Sequence, residues 1–345
     1  MQPRDDQLAV INTAITHIAE GNDTVLIQAP TGWGKTLVLM LILARLIANF
    51  GAGARVTWVA HRDRLLYQAF RTMFTVAPQL LRNTTFIGIA SPRIPPCDVL
   101  VVDEAHHDAA RSYHAARDKA SPNIVIAATA TPTRHDRYQL NFSKIIAAPK
   151  LDSLIEAKVL SPFDHFALCD DMDPARMVDA IIAEPDRWRQ SLVFMSDIGQ
   201  AHLATNRLRA AGIAAAPALG DQTKELVTSA FICGNLQVLL TVHALSEGVD
   251  IASVQSVFIR DGQRTAVLQA IGRALRRDGN KLAHVVQYAD ARIPFFNIAK
   301  PHRRFAGTPG SWVQLPAVPL WHEQAAINRR QIAMRFTNNP PAGKE

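Results

Sequence analysis

Residues 29–36 read APTGWGKT and lie between two apolar stretches of different rhythm. Upstream, TVLIQA (24–29) is a short run rich in β-branched and aliphatic residues, as expected of a buried strand. Downstream, TLVLMLILARLIANF (36–50) is long and apolar enough for a buried helix. A glycine loop between strand and helix is a setting for an anion. The backbone N–H groups of Gly32, Trp33 and Gly34 can wrap it at the helix N-terminus, where the dipole favours negative charge. Lys35 would reach β- and γ-phosphates, and Thr36 would offer its hydroxyl to Mg2+. Thr31 lies in the same loop and is counted with the nucleotide-binding residues. Ala29 departs from the pattern G-x-x-x-x-G-K-T, but the later glycines are the ones that must let backbone approach phosphate. The alternative is a plain turn with Lys35 in solvent. The Trp33 side chain reads as packing.

Outward from this loop the alternation continues. ARVTWVA (54–60), TFIGIA (85–90), CDVLVVDEA (97–105) and NIVIAATA (123–130) read as strands with little polar alternation. Strands of this kind are buried on both faces, as in a parallel sheet covered by helices. After LDSLIEAKVLSPFD (151–164) the rhythm restarts with QSLVFMS (190–196), LQVLLTV (236–242), SVQSVFIR (253–260) and AHVVQYA (283–289). Two successive α/β units are therefore expected: 1–150, then a linker at 151–165, then 166–295. A basic tail at 296–345 is expected to be irregular apart from one helix, WHEQAAINRRQIAMRF (321–336).

VVDEAHH (101–107) supplies a complement to the loop. Asp103 ends an apolar strand, where its carboxylate can hold Mg2+ through water. Glu104 beside it can polarise an attacking water. Two adjacent carboxylates with separate duties suit phosphoanhydride hydrolysis, in which positioning and charge neutralisation supply most of the rate. A helix over QAIGRALRR (269–277) would set Gln269, Arg273 and Arg276 at i, i+4 and i+7 on one face. Arginines from one unit can stabilise phosphoryl-transfer charge on a nucleotide held by the other. A merely solvated basic face, or one that binds nucleic acid directly, is the alternative. Arg277 lies off that stripe.

The chain has 345 residues, 48% of them hydrophobic and 19% charged, with a formal charge of +7. Residues 1–150 carry 16 basic and 11 acidic side chains, 151–295 carry 14 and 17, and 296–345 carry 7 and 2. A basic balance fits an anionic partner, though many basic proteins bind none. Cys97, Cys169 and Cys233 lie far apart, which indicates neither a disulfide framework nor a zinc site and points to a reducing cytosol. No apolar run of about 20 residues predicts a membrane span, and MQPRDDQLAV lacks the build of a signal peptide.

Taken in order, APTGWGKT, VVDEAHH and ATATP (128–132) resemble motifs I, II and III of superfamily 2 helicases, in which an alanine start to motif I is usual. RDDQ (4–7) resembles the Q motif and VAHRDRLLYQ (59–68) motif Ia. LVFMSDIGQAHLATNRL (192–208) resembles motif IV, LLTVHALSEGVDI (239–251) motif V and QAIGRALRR motif VI. The likeness covers residues 1–290 and looks nearest to the XPB/RadD group and to motor subunits of restriction enzymes. It implies an α/β fold of two tandem RecA-like domains, with ATP and Mg2+ in a cleft between them.

By the same likeness Gln7 joins the nucleotide site, Gln269 sits near the γ-phosphate and His106, and Asp250 contacts the ribose or the interdomain network. Thr129 and Thr131, with Glu247 and Gly248, would couple that site to nucleic acid; each threonine could equally be a cap or turn. His61, Arg62, Ser91, Arg93, Ser196 and Thr241 are candidate nucleic-acid contacts, or else caps and surface residues. The implied activity is a nucleic-acid-dependent ATPase acting as a cytoplasmic translocase or helicase, with DNA favoured over RNA. The alternatives are the motor of a restriction or defence complex that borrows a nuclease, a clamp that does not translocate, and an RNA helicase.

Overall fold

A computed structural model describes residues 2–51, 53–105, 110–130, 142–169, 173–242, 253–260 and 264–316, except for the side chains of 110, 111, 221, 222, 264–266 and 273. These residues form two compact units that meet in sequence at Ser153 and Leu154.

In the first unit the helices are α1 (Asp5–Ala19), α2 (Lys35–Phe50), α3 (Asp63–Val76) and α4 (Ala110–Ala120). The strands are β1 (Thr24–Gln28), β2 (Val56–Ala60), β3 (Thr84–Gly88), β4 (Val99–Val102), β5 (Ile124–Thr129) and β6 (Lys144–Ala147). They make one parallel sheet in the order β3-β2-β4-β5-β1-β6. Val99 to Val102 and Ile124 to Thr129 are buried throughout, as strands covered on both faces must be. Because the strands are parallel, the segments after β1, β2, β4 and β5 all emerge at the same end of the sheet, and those segments carry the motifs.

The second unit opens with α5 (Leu151–Glu156), which straddles the boundary, and β7 (Phe163–Leu168). It continues through α6 (Pro174–Ala183), α7 (Pro185–Trp188), β8 (Ser191–Phe194), α8 (Ile198–Ala210), β9 (Ala215–Pro217), α9 (Asp221–Ile232) and β10 (Val238–Thr241). After these come β11 (Ser256–Ile259), α10 (Arg264–Ala274), β12 (Ala283–Tyr288), β13 (Arg303–Thr308) and β14 (Ser311–Gln314). The sheet order is β14-β13-β7-β12-β11-β8-β10-β9, parallel except for the β13–β14 hairpin. Asp173 and Asp197 cap α6 and α8, accepting from the amides of Ala175 and Gln200 at 2.9 and 2.8 Å.

Three expectations are corrected. The 151–165 linker is instead helix α5 and the start of β7, a fully buried strand at the heart of the second sheet. The 296–345 segment is not irregular where it is described: β13 pairs with β7, and Phe305 stacks on Phe166 at 4.7 Å. Trp312 meets Phe166 and Trp188 edge-on and donates its indole N–H to Glu184 at 2.5 Å. The helix expected at 321–336 lies outside the described residues. Finally, α10 ends at Ala274, so Arg276 is not on the helical face of Gln269. The chain there turns to pair with Leu160, and the Leu275 carbonyl accepts from the Ser161 amide at 2.7 Å.

Candidate nucleotide site

The phosphate loop leaves β1 held from two sides. The Ala29 amide donates to the carbonyl of Thr129 at the end of β5. On the other side, Gly34 caps α2 at φ 103°, and Gly32 has φ 89°. Both values lie where only glycine is comfortable, so the path of the loop itself requires these residues. The Trp33 amide, expected to face the anion, donates within the turn to Pro30 O at 3.3 Å.

Lys35 is almost wholly buried, and an unpaired ammonium there would be costly. Its Nζ lies 3.2 Å from Glu104 Oε1. The Thr36 hydroxyl donates to Asp103 Oδ2 at 3.1 Å, so the loop and the end of β4 are joined at two adjacent points. Burial, with the Glu104 charge next to it, pushes the Asp103 carboxyl well above its ordinary value, against the opposing pull of Lys35 and the Thr36 hydrogen bond. Glu104 has φ 54°, an uncommon conformation for a side-chain-bearing residue, and one found at functional turns. A hydroxyl and a carboxylate converging beside a positive-φ glycine loop make a hard-oxygen donor set that fits Mg2+ next to a phosphate.

The loop is also clamped by α1, through residues the sequence reading largely passed over. Gln7 is buried, donates through Nε2 to the Trp33 carbonyl at 2.8 Å, and accepts from the Arg4 amide at 3.1 Å. Arg4 donates to the same carbonyl at 3.0 Å and pairs with Asp6. The Trp33 indole, fully buried, donates to Asp6 Oδ2 at 2.5 Å. Burial raises the Asp6 carboxyl, but the hydrogen bonds from Arg4 and Trp33 outweigh it and hold the group below its ordinary value. Only the quartet R-D-D-Q hinted at this clamp, because nothing in the sequence ties Asp6 to a tryptophan 27 residues on.

The remaining candidates are scattered along strand ends. Thr31 is half-buried beside the loop, and Thr129 is buried at the end of β5. His61 is half-buried after β2, and Arg62 is exposed at the N-cap of α3. Ser91 accepts from the Arg93 amide in an exposed turn. In the second unit, Ser196 is exposed and bonds to Asp197, while Thr241 is buried at the end of β10. Gln269 is buried on α10. Burial pulls the Arg276 guanidinium below its ordinary value, and the Arg273 backbone belongs to α10 while its side chain lies outside the described set. His106, Thr131, Glu247, Gly248 and Asp250 lie outside the described residues.

Residues 1–91 match the family model for the res subunit of type III restriction enzymes, and residues 174–278 match the conserved C-terminal domain of helicases. The chain belongs to the superfamily 2 helicases. This superfamily 2 chain is 22% identical, over 84% of its length, to IRC3 of Saccharomyces cerevisiae, whose name assigns it provisionally as an ATP-dependent helicase; the match spans 51% of that protein. The chain thus spans about half the length of the curated relative it matches. Among solved structures it is similar to the Mycobacterium smegmatis helicase Lhr bound to ssDNA and AMP-PNP, with a TM-score of 0.58 and 18% identity over 83% of this chain and 46% of that one. It is similar also to a Saccharomyces cerevisiae Dbp5 variant bound to RNA and ADP BeF3, with a TM-score of 0.57 and 15% identity over 86% and 89%. At these identities the likeness is one of fold, and the fold is the tandem RecA-like one.

Proposed function

We propose that this chain is an ATP-hydrolysing nucleic-acid translocase or helicase that acts on DNA. The observation that carries the reading is the double junction between loop and strand end: Lys35 on Glu104, and Thr36 on Asp103. In this arrangement Glu104 neutralises a buried lysine. A γ-phosphate offers Lys35 an alternative partner, and Glu104 is released to orient the attacking water. Thr36 and Asp103 are the residues that would hold Mg2+, which when bound neutralises charge on the β- and γ-oxygens. Gln269, Arg273 and Arg276 are proposed to contact the triphosphate, with Asp250 on the ribose side. The residues at the strand ends, His61, Arg62, Ser91, Arg93, Ser196 and Thr241, are proposed to face the polymer. His106, Thr129, Thr131, Glu247 and Gly248 are proposed to link the two sites. DNA is favoured because the motifs look nearest to the XPB/RadD group and to restriction-enzyme motors.

Lys35→Ala is expected to abolish ATP hydrolysis. Retention of the parent rate would remove the site assignment, and ATPase activity indifferent to both DNA and RNA would remove the motor assignment. A second reading, the motor of a restriction assembly whose nuclease is another chain, is favoured by the res-subunit match over residues 1–91. Copurification of a nuclease would support it. Among the described residues no helix is long and apolar enough to cross a membrane.

A further inference from the structure

We infer that the outward face of α3 is a stacking platform for the bases of single-stranded nucleic acid. Leu65, Leu66, Ala69 and Met73 already bury the inner face of this helix. Yet Tyr67, Phe70 and Phe74 are 61%, 41% and 64% exposed. They stand at i, i+3 and i+7, which lines three rings along one stripe about 10 Å long. Packing against Phe86 accounts for part of Phe70, but core packing does not call for Tyr67 and Phe74 there, and large exposed apolar groups in a row mark an interaction surface.

The platform is braced. Phe70 sets its edge against Phe86 of β3 at 5.8 Å, and Phe86 packs against the fully buried Trp58 of β2 at 6.1 Å. A rigid ring loses little entropy on binding, which suits a stacking surface. The Arg71 guanidinium lies 6.0 Å from the centre of the Tyr67 ring, on the same exposed face.

Charge selects the partner. Helix α3 and its N-cap carry three arginines (Arg62, Arg64 and Arg71) and one acid, Asp63. Rings interleaved with cations fit a polyanion whose aromatic faces are available. A duplex keeps its base faces stacked inside, so it would gain the charge term and not the ring term. The surface therefore favours an unpaired strand. It extends the proposed polymer path along α3 beyond His61 and Arg62, and so rests on the function proposed above.

The test uses the full chain and fluorescence anisotropy with labelled oligo(dT), oligo(U) and a blunt DNA duplex, over a range of salt. Tyr67→Ala and Phe74→Ala should each weaken single-strand binding about ten-fold while leaving the salt slope and duplex affinity unchanged. Tyr67→Phe, which keeps the ring, should restore affinity. Arg71→Gln should lower the salt slope by about 1. ATP hydrolysis without nucleic acid should be unaltered in the Tyr67 and Phe74 variants, which shows that the unit is intact. The inference is overturned if the double ring variant binds single strands normally, or if it loses duplex affinity equally. It is also overturned if the variants change only self-association or protein binding, since the face is then a protein interface. Wild-type protein that binds neither polymer would overturn the function proposed above as well; normal wild-type binding with indifferent ring variants overturns this inference alone.

Discussion

Gly34→Ala probes the clamp on the phosphate loop. Gly34 has φ 103° and ψ 37° at the N-cap of α2, and a methyl group added there would sit 2.7 Å from Gln7 Nε2. The backbone conformation alone should cost about 1–2 kcal/mol once a Cβ is present. The Gln7 amide is the far end of a flexible side chain, so it would swing aside, giving up its hydrogen bond to the Trp33 carbonyl at a further cost of about 1 kcal/mol. The single substitution should therefore destabilise the protein by about 2–3 kcal/mol. In a Gln7→Ala background there is no amide to displace, and the same substitution should cost only the backbone part. A double-mutant cycle by urea denaturation of the full chain should thus show a coupling of about 1 kcal/mol. Strict additivity would mean that Gln7 does not hold the loop.

His165 and His284 are kept neutral by burial, with pKa values lowered to about 3 and about 4. Their folded values lie below the unfolded value of about 6.5, so the stability they contribute is complete above that pH and is lost as pH falls towards 4. At pH 5 each should have cost about 2 kcal/mol. The buried Asp103 carboxyl, whose pKa is raised, acts in the opposite direction over the same range, so the test is a comparison of variants: His284→Asn should lose less stability than the parent between pH 7 and 5, and equal losses would contradict this. Trp312→Ala, which removes a ring packed on Phe166 and Trp188, should cost about 3 kcal/mol, whereas Val313→Ala next to it, at an exposed position, should change the thermal midpoint little.

The parallel α/β architecture was legible because its strands are unbroken apolar runs and the glycine loop punctuates them at one place. Elements whose burial depends on distant partners were not. β6 and β9 are short, at four and three residues, and β13 begins Arg-Arg, which reads as solvent-facing. In the fold Arg304 lies over the Phe296 ring at 4.0 Å, and Arg303 reaches back to the buried carboxylate of Asp164 at 2.6 Å. Helical spacing of Gln269, Arg273 and Arg276 persists in the letters after the backbone has left the helix, so periodicity alone overran α10 by a residue pair. In the candidate nucleotide site, the residue types of the loop and of Asp103–Glu104 suggested their chemistry, but the Lys35–Glu104 pair and the indole of Trp33 on Asp6 join positions 69 and 27 residues apart, which no local pattern encodes.

The pairing of β7 has a consequence for biosynthesis. Its neighbours are β12 and β13, so Arg303 meets Asp164 across 139 residues of chain. A ribosome will have released β7 long before either flanking strand exists, leaving its hydrogen-bonding groups without a sheet while the first unit can already close. Maturation of the second unit is thereby deferred until translation has passed the hairpin, and nascent chains halted before residue 303 should be the ones that chaperones retain.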